Sequence, residues 1–275
     1  MTPVRTAGEV LEAIQKVKAG ATAFCTNFFP VQSKLENWVA HEELSSETQK
    51  NGVAFFFRKD RDFARLYFCA QSPATLAQEL QQLPPITTEK LATDLVGPES
   101  SLVELLKLAE QAGFRRYSRL VRLARTASVA TSSDGPSPSP ISFAAGSDAP
   151  AILGLIEHSF DRFADQLPTL YEIEAAIATR QIFVVKQNEG IGALLFFETQ
   201  GLTSMIRYWL VAEQFQSRGF GSALMRYYFS RQPGVRRFIL WVTATNDNAI
   251  QKYQHYGYTP DGLVDHVLVN WAAGS

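Results

Sequence analysis

Gln216-Ser-Arg-Gly-Phe-Gly-Ser222 is the stretch whose residue types could do chemistry. An apolar run suited to a strand, Met205 to Val211, leads into a short polar turn. After the glycines a helical pattern begins, with Ala223, Leu224, Tyr227 and Tyr228 on one face. Glycines at a helix start that directly follows a strand sit among backbone N–H groups with no intrahelical partner. The helix dipole adds partial positive charge there. The combination binds anions, phosphate most naturally. Gly219 and Gly221 allow the backbone to approach a ligand and to take positive φ, and Arg218 adds a cation beside them. Two glycines alone fit an ordinary strand-to-helix turn equally well, so the reading needs support from elsewhere in the chain.

That support lies downstream. Gln216-Ser-Arg-Gly219-Phe-Gly221 resembles the Gln/Arg-x-x-Gly-x-Gly/Ala signature of the GNAT superfamily of N-acetyltransferases. Asn246-Asp-Asn-Ala249-Ile-Gln-Lys-Tyr253-Gln-His-Tyr-Gly257-Tyr258 is similar to that family's Asn-x-x-Ala-x-x-x-Tyr-x-x-x-Gly-aromatic segment. The two segments come in the family's order with one strand between them, and the resemblance covers roughly the last half of the chain. Where Glu213 stands, the family often has proline, a departure that touches only the entry to the loop.

The resemblance implies acetyl-CoA as co-substrate. The loop and helix start, Gln216, Ser217, Arg218, Gly219, Phe220, Gly221 and Ser222, would hold its pyrophosphate. The end of the central strand, Leu210 and Val211, would pair with the pantetheine amides and polarise the thioester carbonyl. Asn246 would cap its helix, reach the pantetheine, or do both. Tyr253 would be the general acid, since a thiol of pKa about 8.5 leaves as thiolate and a phenol of pKa about 10 can return a proton to it. A tyrosine at that place also fits plain packing of a helix on a sheet. Glu157, His158, Glu172, Glu174, Glu198, Tyr208 and Glu213 border the acceptor groove of such a fold, and none stands out as general base; water can relay the proton. Asn248 matches no motif position.

Composition limits the alternatives. The 275 residues carry a net charge of −1, which gives no overall drive toward nucleic acid or an anionic membrane. His41, His158, His255 and His266 are scattered, and no Cys/His spacing suggests a metal. Arg115-Arg116 and Arg236-Arg237 read as solvated strand ends. Cys25 and Cys69 lie in apolar surroundings and read as free thiols of a reducing compartment. Met-Thr-Pro-Val-Arg lacks the apolar core of a signal peptide, and no run approaches a spanning helix. The expectation is a cytoplasmic protein with a small amine as acceptor, favoured over a protein N-terminus or lysine.

The elements that must position these residues can be read in order. Capping boxes at Thr6–Glu9, Ser101–Glu104 and Thr169–Glu172 open helices. Ala21–Phe29, Gly52–Arg58, Arg65–Ala70 and Tyr117–Leu123 read as strands, with a helix over Ala74–Leu83. In the second half a strand over Ile141–Ala144 precedes a Ser147-capped helix reaching about Phe163. Strands over Ile182–Lys186 and Ile191–Glu198, the central strand and the glycine turn follow. After that come a strand over Phe238–Thr243, a helix over Asp247–Tyr256 and a strand over Leu263–Trp271. Residues 126–140, small, polar and rich in proline, read as a linker. The division is therefore an N-terminal α/β domain over 1–125, a linker over 126–140 and a GNAT acetyltransferase domain over 141–275. The fold class is α/β: a GNAT-like mixed, mostly antiparallel sheet flanked by helices, in two tandem domains.

The halves echo each other. Ala109 to Gly113-Phe114 matches Tyr253 to Gly257-Tyr258 in context, but Ala109 lacks the phenol, and no glycine pair or arginine follows Arg65–Ala70. The first half reads either as a degenerate copy or as an unrelated α/β domain. Two rivals to catalysis differ in strength. A dinucleotide fingerprint fails because Leu224 stands at the third glycine and the strand comes late in its domain. A non-catalytic acyl-CoA sensor or interaction module stays open, with the first half walling the acceptor groove or supplying a surface for a homodimer.

Overall fold

The computed structural model describes the chain except residues 50, 84–89, 128–140, 189 and 272–275, so the expected linker falls, from 128 onward, outside the described residues. Contacts divide the chain into two units, Met1–Leu120 with Gly262–Ser275, and Val121–Asp261. The stretch from Gly262 on, assigned by sequence to the second half, thus lies with the first unit.

The first unit holds β1 (Thr2–Pro3), α1 (Ala7–Ala19), β2 (Cys25–Thr26), α2 (Gln32–Ala40), β3 (Leu44–Gln49), β4 (Val53–Asp60), β5 (Phe63–Ala70), α3 (Pro73–Leu80), β6 (Leu91–Pro98) and α4 (Glu99–Gln111). The chain leaves it along β7 (Arg115–Thr126). The second unit holds β8 (Ile141–Phe143), α5 (Ala149–Ser159), α6 (Leu170–Ala178), β9 (Ile182–Gln187), β10 (Gly190–Gln200), β11 (Thr203–Val211), α7 (Phe220–Ser230), β12 (Arg237–Thr243) and α8 (Asp247–His255); β13 (Thr259–Val269) then returns to the first. Most pairings are antiparallel, as expected. Each unit has one parallel pair among its described strands, β5 with β6 and β11 with β12.

Besides the two-residue β1, three elements escaped the sequence reading, and physical reasons account for these three. Helix α2 starts at Val31 without a side-chain cap. Strand β3, Leu-Ser-Ser-Glu-Thr-Gln, is mostly polar. Strand β6 buries Thr93 and Asp94, which breaks its apolar pattern. Conversely, the expected strand over Ala21–Phe29 reduces to Cys25–Thr26. Thr6 and Thr169 cap as expected, but α4 begins at Glu99, so Ser101 lies inside it and donates to the Pro98 carbonyl. Ser147 does not cap α5: the N-cap is Asp148, which makes no side-chain bond to the helix and instead takes the Ala145 N–H of the preceding 3-10 turn at 2.7 Å. Helix α5 stops at Ser159 because Asp161 Oδ1 takes the N–H groups of Phe163 and Ala164, both at 2.8 Å, folding a turn in place of helix.

Helices cover both faces of the second unit's strands. In the second unit Ile152, Ile156, Ile173 and Ala176 of α5 and α6 pack on Val184, Leu194, Phe196, Tyr208 and Leu210. On the other face Leu224, Met225 and Tyr228 of α7 pack on Phe183, Leu195, Phe197, Ile206 and Leu240. In the first unit Val10, Val17, Leu35 and Trp38 of α1 and α2 cover Ala54, Phe56 and Tyr67. Cys69 is buried and Cys25 half-buried; both are free, and burial pushes each thiol up to about 11. Among the described residues no helix is long and apolar enough to cross a membrane.

A buried charge cluster in the first unit gives the first prediction. Arg65, fully buried, donates to Asp94 at 3.0 Å and lies 3.5 Å from Asp60. Asp265 is buried nearby, and its Oδ1 has no partner among the described residues. Burial, and then the Asp94 charge, hold its carboxyl well above the ordinary range. A carboxyl raised on folding costs nothing while protonated in both states. It costs stability as pH climbs from the unfolded value through the folded one. Asp265→Asn removes that cost, so it should raise Tm by several degrees at pH 8 and by clearly less at pH 4. An equal gain at both pH values would show that Asp265 does not titrate with folding.

Candidate active site

Trp209 organises the site. β11 alternates its side chains, so Tyr208 and Leu210 face α5 and α6 while Trp209 and Val211 face α7 and α8. A Cβ on Gly221 would stand 3.2 Å from Trp209 Cζ2 and 3.4 Å from Val211 Cγ2. Glycine at 221 is therefore what lets the first turn of α7 sit on the strand. Gly219 is needed for another reason: it takes φ 78°, with open space around its Cα. Ser217, two residues earlier, also has positive φ, at 64°. Gly219→Ala and Gly221→Ala should each cost about 1 kcal/mol of stability, the first through backbone strain and the second through displaced packing. NMR separates the two causes: the Trp209 indole resonance should move in Gly221→Ala and stay in place in Gly219→Ala.

The start of α7 is uncapped. Its N-cap, Gly219, has no side chain to offer, and among the described residues no protein acceptor takes the N–H groups of Ser217 through Ser222. Gln216, Ser217 and Arg218 are exposed, and Phe220 and Ser222 half-buried. The Arg218 guanidinium lies 5.1 Å from the buried Phe215 ring centre, and Arg218 is exposed. A row of free amides, a helix dipole and one arginine form a seat for a polyanion.

Beside this seat the sheet opens. β11 pairs with β12 only from Thr203–Arg237 to Ile206–Leu240. From Tyr208 to Val211, among the described residues, only β10 pairs with β11, and Arg207 falls at a register shift. The Ala212 N–H donates to the Gly192 carbonyl at 2.9 Å. The alternation of an antiparallel ladder then turns the backbone groups of Leu210 toward β10 and those of Trp209 and Val211 into the opening. Of the two strand residues named from sequence, Val211 presents its amide to the wedge and Leu210 is held in the ladder.

α8 brings Tyr253 to the same place. Asn246 caps the helix, accepting from the Ala249 N–H at 3.0 Å through Oδ1. At the far end Gly257, at φ 80°, donates to the Gln254 carbonyl at 2.8 Å, and Tyr258 donates to the Tyr253 carbonyl at 3.2 Å. These are the bonds of a helix stopped by a left-handed glycine, and the rings of Tyr253 and Tyr258, 5.9 Å apart, supply its apolar contact. Much of the spacing from Asn246 to Tyr258 is thus capping geometry. A phenylalanine at 253 would meet that requirement, so the hydroxyl is the part left over. Among the described residues no hydrogen bond to it contributes to its acidity, which burial and Asp165 alone shift. The Tyr253 ring lies 5.4 Å from Trp209, whose Nε1 is buried without a partner among the described residues. Burial, and then the Asp165 carboxylate, push the Tyr253 phenol far above its ordinary range.

The groove candidates divide. Tyr208 donates to the carbonyls of Asp165 and Gln166 at 3.0 and 2.9 Å, tying the Asp161–Gln166 turn to β11. Burial pushes its phenol up to about 12, so it serves as a strut. Glu172 is taken by the Thr169 N–H at 2.9 Å. Glu198 lies 3.9 Å from Arg207 Nε. Glu157, His158, Glu174 and Glu213 are exposed. Sequence reasoning missed Trp209, whose signal was a bulky residue followed by a glycine pair, and Asp165, which carries none. Among the described residues no group of three or more His, Cys, Asp and Glu is placed to hold a metal ion.

Residues 152–258 match the model of the acetyltransferase (GNAT) family. Compared with curated proteins, the sequence has no match. Solved structures share the fold. A tandem GNAT protein from the clavulanic acid biosynthesis pathway is 12% identical, with a TM-score of 0.63 over 100% of this chain and 98% of that one. A GCN5-related N-acetyltransferase from Sphaerobacter thermophilus is 18% identical, with a TM-score of 0.58 over 79% and 76%. Another from Kribbella flavida is 14% identical, with a TM-score of 0.58 over 85% and 91%. The open helix start, the wedge and the Tyr253 helix all lie inside residues 152–258, the segment that matches the acetyltransferase (GNAT) family model.

Proposed function

We propose that this protein transfers the acetyl group of acetyl-CoA to a primary amine by direct attack in a ternary complex. The observation that carries the reading is the convergence of three features: the free amides of Ser217–Ser222, the wedge beside Val211 and the Tyr253 hydroxyl. The pyrophosphate sits on the amides with Arg218 beside it, and the pantetheine runs along Trp209–Val211. An N–H on that strand edge polarises the thioester carbonyl, worth about 3 kcal/mol as the oxygen turns anionic.

The amine nitrogen attacks the carbonyl carbon, the C–N bond forms, the C–S bond breaks, and the nitrogen's surplus proton leaves through water. The sulfur departs as thiolate. Full proton transfer to it from a phenol is uphill by about 2 kcal/mol even at ordinary pKa values, and burial of Tyr253 steepens the climb. Tyr253 therefore acts as a hydrogen-bond donor that stays protonated and lowers the energy of the leaving sulfur, with solvent supplying the proton afterwards. A small amine in the cytoplasm is the acceptor we favour.

Calorimetry with acetyl-CoA, followed by CoA release over a panel of amines, tests the proposal. Binding heat and amine-dependent release are expected. Binding without release for any amine would favour an acyl-CoA sensor, and no binding would sink the reading.

A further inference from the structure

We propose that the first unit is closed to acyl-CoA because its own chain fills the cleft that the second unit leaves open, so the protein takes up one acetyl-CoA per chain. The inference rests on the proposed function for the second site.

The units repeat one plan. β5-α3-β6-α4 matches β11-α7-β12-α8, with one parallel strand pair in each. In both, the parallel pairing ends early: β5 and β6 pair only at Ala64–Leu91 and Arg65–Ala92. The wedge that opens beyond this point in the first unit is occupied. Cys25 and Thr26 pair antiparallel with Ala70 and Cys69 of β5, on the edge that β6 has left. Asn27 then bridges both lips. Its Nδ2 donates to the Leu66 carbonyl at 3.1 Å, to Thr93 Oγ1 at 2.9 Å and to the Asp94 carbonyl at 3.0 Å. Its Oδ1 accepts from the Phe68 N–H at 2.7 Å. Thr26 Oγ1 adds a bond to the Phe68 carbonyl at 2.6 Å, and Asn27 is buried. An amide from the chain thus makes bonds to both strand edges of the kind an amide-bearing ligand would make.

The anion seat is closed as well. α3 follows β5 as α7 follows β11, but its N-cap is Ser72, whose Oγ accepts from the Thr75 N–H at 3.2 Å. Pro73, the first helical residue, has no N–H to offer. At the Tyr253 position stands Ala109, over which the same helix stop is built: Gly113 donates to Glu110 O and Phe114 to Ala109 O, both at 3.0 Å. The repeat keeps the architecture and has lost the seat, the open edge and the phenol.

Two measurements decide it. Native mass spectrometry of the full chain with acetyl-CoA should show one ligand per chain, and none in Ser222→Glu, which blocks the second unit's seat. Two ligands on the wild type, or one retained by that variant, would overturn the proposal. No ligand on the wild type would sink the transferase reading instead. The plug is then decided by hydrogen exchange on the unliganded wild type. The Phe68 amide, held by Asn27, should exchange at least about 100-fold more slowly than that of Val211. Acetyl-CoA should slow Val211 and leave Phe68 unchanged. A fast Phe68 amide would mean that the cleft of the first unit is open.

Discussion

Ser222→Glu is expected to weaken acetyl-CoA binding by at least about 100-fold while leaving the fold intact. Ser222 is the third residue of α7 and half-buried beside the free amides. A carboxylate there meets the pyrophosphate at about 5 Å, and at an effective dielectric of about 20 one such repulsion costs about 3 kcal/mol, roughly 200-fold. It also competes for the amides themselves. The same charge in the first turn favours the helix dipole by about 0.3–1 kcal/mol. Thermal stability should therefore hold or rise, which separates lost binding from lost structure. Ser222→Ala is the control and should bind almost as wild type. An unchanged Kd for Ser222→Glu would show that the donor does not sit at this helix start.

Tyr253→Phe should lower kcat about 10- to 150-fold, the worth of one hydrogen bond of 1.5–3 kcal/mol to a charged group. The Kd for acetyl-CoA should change little, because the ring contacts with Trp209 and Tyr258 survive. Since burial raises the phenol, it does not ionise between pH 6 and 9. Wild type and variant should consequently give pH profiles of the same shape in that window, differing only in height. Loss of an alkaline limb below pH 9 in the variant would show that Tyr253 titrates during turnover, and wild-type kcat would leave it as a packing residue.

The second unit was largely legible because its signals are local. Thr169–Glu172, Asn246 and Gly257 fix helix ends by hydrogen bonds made within a few residues. What Gly221 is for was misread, since its missing side chain makes room for Trp209 and Val211, a contact no local pattern announces. Asn27 was invisible for a related reason. It is one polar residue in an apolar run, and all its side-chain partners lie 39 or more residues away. The polar residues inside β6 likewise make sense only beside Arg65 and Asn27.

The pairing of β13 with β6, Val269 with Ala92 through Leu263 with Pro98, bears on how the chain is made. When the ribosome has finished β6, the partner for that edge lies far downstream and takes roughly 8–30 s more to emerge at 5–20 residues per second. During that interval β6, with Leu91, Ala92 and Leu95 interrupted by Thr93 and Asp94, offers an unpaired edge to any neighbouring nascent chain. The first unit is therefore completed only after residues 121–261 have been synthesised, and chaperone demand should peak before β13 leaves the exit tunnel.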